Sequence, residues 1–275
     1  VQISRKNTAK SILTKKDWLS RLLLPFVPYI WIRGSGSAES TLANTPPHVT
    51  YLTPGGRKSP RPAFLPQPPG DPHMPLKAIA LNCTLKADAS EASSTDVMIG
   101  LLKTAFAERD VELTETIRIA AHDVKPGVSS DEGDGDAWPA IRAKILAADI
   151  LVFGGPVWMG QLGSVAKRVL ERMDAFLGET DEQGRMPSSS KVAVAAIVGN
   201  EDGAHFSTAQ LFQSLNDTGW TIPAVGAVYW VGEAYGSVDF KDLKETPEMV
   251  AKTVKMVAGN AAHLAGLLKA TPYPG

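Results

Sequence analysis

Cysteine is almost missing from this chain: Cys83 stands alone among 275 residues. No internal disulfide can form, and a reducing, cytoplasmic setting is the simpler expectation. Long apolar runs are missing too. The most apolar stretch, Trp18 to Ile32, is interrupted by Arg21, Pro25 and Pro28. It falls short of the roughly 20 apolar residues that a membrane-spanning helix requires. A basic surplus is absent from the larger part of the chain, since residues 76–275 carry 18 Lys and Arg against 26 Asp and Glu. That balance argues against nucleic acid as a main partner. Neither the Gly-Lys-Ser/Thr of a Walker loop nor a Gly-x-Gly-x-x-Gly fingerprint occurs, so an ATP phosphate loop and a dinucleotide Rossmann site are both unsupported. The acids of Asp131-Glu-Gly-Asp-Gly-Asp136 alternate as in a calcium loop but lack its bidentate Glu, which leaves a solvated loop and no metal site. No internal repeat of solenoid length appears.

What is present divides at about residue 75. Residues 1–75 are basic, with ten Lys and Arg against three Asp and Glu, and are crowded with Pro and Gly from Thr45-Pro-Pro47 to Asp71-Pro72. Neither a helix nor a strand ladder survives such a run, so 34–75 reads as a disordered or extended linker. Three readings of the whole extension are open. It is a targeting leader, an interfacial anchor, or a stretch upstream of a natural start at Met74. The abrupt change of character after Met74 favours the last, on which removal of 1–73 leaves a folded, ligand-competent body.

From Leu76 the pattern is regular. Lys77–Asn82 reads as a strand, Thr95 to about Arg109 as a helix, Val111–Ile119 as a strand, and Trp138–Ala147 as a helix with Pro139 in its first turn. Ile150–Phe153 is continuously apolar, as in a strand buried on both faces, and Gly154, Gly155 and Pro156 are expected to stop it. A helix follows over Ser164–Leu177. Lys191–Val198 is a further strand, His205–Thr218 a helix, Thr221–Val231 the fifth strand and Glu248–Leu268 the closing helix. Gly232–Pro247 is a polar insertion. Five β-α units with short connections imply a parallel sheet between helices, a three-layer α/β sandwich.

Three loops then leave strands at one edge of the sheet, where open α/β sheets bind ligands. Thr84–Thr95 is rich in hydroxyls and leads into a helix N-terminus, which suits a phosphate. Pro156–Gly160 carries Trp158 and Met159, and Gly199–His205 is the third. An aromatic and backbone amides beside a phosphate cradle suit a flat ring attached to one phosphate.

Three segments taken in order resemble the flavin loops of the flavodoxin-like family of NAD(P)H-dependent flavin mononucleotide (FMN) and quinone reductases. They are Asn82-Cys-Thr-Leu-Lys86 with Ser93-Ser-Thr95, Gly155-Pro-Val-Trp-Met-Gly160 followed by Lys167, and Gly199-Asn-Glu-Asp-Gly203. The resemblance covers about 76–270 and implies a five-stranded parallel sheet of order 2-1-3-4-5. It implies that Thr84, Ser94 and Thr95, with Lys86 in the same loop, hold the FMN phosphate. Pro156, Val157, Trp158, Met159 and Gly160 would flank the ring and ribityl chain. Gly199, Asn200 and Gly203 would meet the pyrimidine edge, and His205 is a further candidate for touching flavin or substrate. NAD(P)H is then the co-substrate and a quinone, free flavin or similar small molecule the acceptor, in a homodimer or homotetramer. No side chain is obligatory for hydride chemistry that the flavin performs, so no catalytic residue is named. Cys83 and Leu85 stand where the family usually has Gly and Pro, which bears on phosphate-loop geometry and NADPH preference. The rival is a flavodoxin-type electron carrier, but such carriers are more acidic and have a Thr/Ser-x-Thr-Gly-x-Thr loop that is absent here. Trp220 and Trp230 read as core or subunit contacts, and Cys83 as a small buried residue.

Overall fold

A computed structural model describes residues 75–233 and 236–275. Apart from Pro75 the basic extension lies outside them, and with it the expectations for its nature. The elements in chain order are β1 (Leu76–Asn82), α1 (Ser94–Ala107), β2 (Val111–Arg118), α2 (Trp138–Leu146), β3 (Ile150–Trp158), β4 (Gln161–Leu162), α3 (Ser164–Met173), β5 (Val192–Gly199), α4 (Ala204–Asp217), β6 (Ala227–Val231) and α5 (Glu248–Ala270).

The parallel strands lie side by side as β2-β1-β3-β5-β6, with crossovers running outward from β1 in both directions. The period-2 alternation of side chains sorts the core into two halves. Ala78, Ala80, Val152 and Val194 face α1 and α5, where they meet Met98, Leu102, Phe106 and Val257. Ile79, Leu81, Leu151 and Phe153 face the other way, toward Ile141 and Ile145 of α2, Val169 and Met173 of α3, and Leu211 and Leu215 of α4. Central strands buried on both faces explain why β3 and β5 read as unbroken apolar runs.

The structure corrects the strand count from five to six. Gln161–Leu162 pairs antiparallel with the end of β3, Trp158 opposite Gln161, and two residues are too few to announce a strand by pattern. It also corrects the end of β3, which runs through Gly154-Gly155-Pro156 to Trp158. Gly154 O accepts from Cys83 N at 2.8 Å, and β1 pairs with β3 no further than Gly154. Pro156, two residues on, turns its missing N–H to that same side, where no ladder bond is owed. Gly154 is required for a different reason: a Cβ there would stand 2.9 Å from side-chain atoms of Thr95 and Ile99, so glycine lets α1 lie close on the sheet. β6 begins only at Ala227 because Pro223, Gly226 and Val225, at φ 52°, break the stretch before it. Helix α3 stops at Met173, and Asp174–Leu177 tightens into a 3-10 turn.

The acidic loop before α2 is folded rather than freely solvated. Asp136 and Arg172 form a fully buried ion pair at 2.7 Å, and Arg172 also donates to the carbonyls of Ser129 and Lys125. Burial alone would raise the Asp136 carboxyl. The Arg172 hydrogen bond and the N–H groups of Glu132, Trp138 and Lys125 outweigh it and hold the group well below the usual carboxylate range. Among the described residues no helix is long and apolar enough to cross a membrane.

Candidate functional site

Parallel register brings three strand ends level. Asn82 lies opposite Gly154, Pro156 opposite Val198, and Gly199 opposite Val231, so the three loops leave one edge of the sheet. Between them is a cleft of about 230 Å³. One end is polar, formed by Thr84 and Lys86 of the first loop and by Ser93, Ser94 and Thr95 at the start of α1. The other is lined by Pro156, Val157 and Trp158 of β3 and by Val198, Gly199 and Asn200 of β5.

The polar end is built by local hydrogen bonding. Ser93 caps α1: its hydroxyl accepts from Asp96 N, and the Asp96 carboxylate accepts from Ser93 N, a reciprocal capping box. Buried Asn82 ties strand to helix, donating to Asp96 Oδ1 at 2.5 Å and to Ser93 Oγ at 3.3 Å, while its Oδ1 accepts from Thr84 N at 3.0 Å. Arg118 pairs with Asp96 and donates to the carbonyls of Asp88 and Glu91, which pins the long loop to β2. With Asp96 so engaged, the first-turn N–H groups of Ser94 and Thr95 have no carbonyl of their own helix to bond, and the positive end of the α1 dipole faces the cleft. Cys83 is fully buried and burial pushes its thiol up, so it is a neutral packing residue.

The apolar end is open. Trp158 is 51% exposed, and Trp230 of β6 lines the wall with Phe240 packed on it at 5.4 Å between ring centroids. A segment beyond β6 completes the cleft with Asp239, Phe240 and Lys241. It is fastened by Asn200 Nδ2 donating to Asp239 at 3.1 Å and Lys241 N donating to Ser94 Oγ at 3.3 Å.

Residues 76–236 match the NADPH-dependent FMN reductase family. The chain belongs to that family. The 8-demethyl-8-aminoriboflavin-5'-phosphate synthase of Streptomyces davaonensis is 32% identical over 213 residues, 73% of this chain and 81% of that protein. The crystal structure of RosB with 8-demethyl-8-formylriboflavin-5'-phosphate superimposes with a TM-score of 0.66 at 29% identity, covering 73% of this chain and 82% of RosB. A divalent metal cation transporter of Mycobacterium bovis is 33% identical over 202 residues, 71% of this chain, but the match spans only 29% of the transporter. The fold is the flavodoxin-like parallel-sheet α/β arrangement, and the family is one of flavin-dependent oxidoreductases that use FMN.

The cleft fits such a group at its polar end, where hydroxyls, amides and a lysine converge. At about 230 Å³ it is smaller than the roughly 300–1,000 Å³ of enclosing ligand pockets, so it would enclose only part of an FMN.

Nine of the residues expected from sequence line the cleft: Thr84, Lys86, Ser94, Thr95, Pro156, Val157, Trp158, Gly199 and Asn200. Four do not. Met159 is 85% exposed at the β3–β4 turn, with φ 55° and its N–H donated to Glu201. Gly160 and Gly203 abut each other, and a Cβ on Gly203 would lie 2.4 Å from Gly160 O; they lock one loop to the next. His205 turns to Tyr229, Nε2 to Oη 2.8 Å, with the rings edge to face. Trp230 was not among the expected lining residues, although it lies two positions from the core-facing Val228 and so shares its face, on the α1 side. Nor were Asp239–Lys241, which lie in an insertion without periodicity.

Proposed function

We propose that the protein is an FMN-dependent oxidoreductase that takes hydride from NAD(P)H and passes electrons to a quinone, free flavin or similar flat acceptor. The observation that carries this reading is one cleft with a hydroxyl-and-amide end at the α1 N-terminus and an open aromatic end at Trp158. When bound, FMN supplies the hydride chemistry. The chain binds and orients it: Thr84, Ser94 and Thr95 offer hydroxyls and N–H groups to the phosphate, and Pro156–Trp158 with Gly199 and Asn200 border the remainder. Donor and acceptor that occupy the open side at Trp158 in turn would give ping-pong kinetics. The test is to load the full-length chain with FMN and add NADPH without oxygen. Loss of the flavin's visible absorbance within seconds, reversed by a quinone, supports the reading. A yellow protein that NAD(P)H leaves yellow favours an electron carrier, and a chain that refuses FMN contradicts both.

The likeness to the Streptomyces synthase across most of both chains favours a second reading, in which riboflavin 5'-phosphate is itself the substrate. Mass analysis of the flavin recovered after aerobic incubation separates the two. An unchanged mass supports the cofactor reading, and a changed one the substrate reading.

A further inference from the structure

The family match ends at residue 236, yet the wall of the cleft does not. Asp239, Phe240 and Lys241 arrive from beyond it and close the side above α1. This strap is anchored at three points: Asp239 on Asn200, Phe240 on Trp230, and Lys241 N on Ser94 Oγ. Phe240 is 3% exposed, so the anchor is a buried ring and the strap is seated rather than draped.

Two lysines reach the polar end, and they are held differently. Lys86 is drawn back into its own loop, at 2.8 Å from Glu91 and donating to Ala92 O at 3.0 Å. Lys241 Nζ bonds the neighbouring, well-exposed Asp242 at 2.5 Å and lies 3.6 Å from Asp239. Its main chain is fixed next to Ser94, so only its side chain has to turn for the ammonium to meet an anion at the start of α1. Exposed ion pairs such as Lys241–Asp242 contribute little and exchange readily, whereas a phosphate dianion offers three acceptors and more charge. The bond to Asp242 and the charges of both acids push the lysine up from its ordinary range, and it is cationic at neutral pH.

On the reading of the cleft as an FMN site, we infer that Lys241 is a phosphate-binding residue delivered by the 236–247 strap, and that it exchanges Asp242 for the flavin phosphate when FMN enters. The strap is thus part of the binding site, and Lys241 distinguishes the phosphorylated flavin from riboflavin.

The test measures equilibrium binding of FMN and of riboflavin, which lacks the phosphate, to the full-length chain by flavin fluorescence. The wild type prefers FMN. Lys241→Gln weakens FMN roughly tenfold, as loss of one charge-assisted hydrogen bond would, and leaves riboflavin affinity unchanged. Lys241→Arg retains most of the preference. Asp242→Asn removes the competing carboxylate and tightens FMN without affecting riboflavin. Equal weakening of both flavins by Lys241→Gln assigns the residue to strap structure and overturns the proposal, as does unaltered FMN binding. A wild type that binds neither flavin overturns the reading of the cleft itself, a different outcome from either.

Discussion

The two rims of the sheet both carry clefts, and the larger is not the one that suits a ligand. At the amino ends of the strands a cleft of about 620 Å³ is bordered by Asp149, Asp181, Arg185, Lys191 and Lys269. Its charges answer one another. Lys269 meets Asp149 at 3.0 Å, Arg185 meets Asp181 at 2.8 Å, and Lys191 donates to Ala148 O at 2.9 Å. Helix carboxyl ends collect here, and Lys269 in the last turn of α5 complements the negative end of that helix. The cleft at the carboxyl ends is about 230 Å³, but helix amino ends face it and hydrogen-bonding capacity is left over. Parallel strands impose this asymmetry on any α/β sheet. What marks a site is therefore the donors that folding leaves unanswered, rather than the volume it leaves unfilled.

Glycines at the two rims give the sharpest contrast. Gly203 has φ 133° and a Cβ added to it would lie 2.4 Å from Gly160 O, whereas Gly184 has φ 77° and an added Cβ would meet nothing within 4 Å. Gly203→Ala is expected to cost about 2–4 kcal/mol and to shift the Trp158 hairpin. Gly184→Ala is expected to cost about 1–2 kcal/mol and to leave flavin binding alone. Denaturant unfolding with FMN titration reads both, and equal costs would remove the contrast. Next in size, Ser94→Ala with Thr95→Val is expected to weaken FMN by about 10- to 100-fold through lost bonds to the phosphate, with little change for riboflavin. Trp158→Ala, at the other end, is expected to weaken both flavins alike, by about three- to tenfold; a loss confined to FMN would place the ring elsewhere. The smallest effect belongs to the far rim. Lys269→Ala, which opens a partly exposed ion pair, is expected to cost less than about 1 kcal/mol and to leave FMN affinity unaltered.

Much of this arrangement was legible in the residues. Ile150–Phe153 is apolar without alternation because β3 is covered on both faces, and the run Ser93-Ser-Thr95 offers the cap type that starts a helix, of which Ser93 is the residue that caps α1. The Gly154-Gly155-Pro156 stop was misread for a physical reason: a proline ends a strand only where a neighbour is waiting for its N–H, and β1 has already finished. Gly160 and Gly203 were expected at the flavin from the family resemblance alone, and the folded chain sets the two glycines against each other. Asp239–Lys241 had no signal at all. A short strap held by one buried ring and two hydrogen bonds has no period, and only the folded chain shows what it reaches.

The most direct test is a crystal structure of the full-length protein grown with FMN. The phosphate is expected at the first turn of α1, within hydrogen-bonding reach of Thr84, Ser94 and Thr95, with the ring beside Trp158. Flavin seated instead in the Asp149–Lys191 cleft at the opposite rim would contradict it.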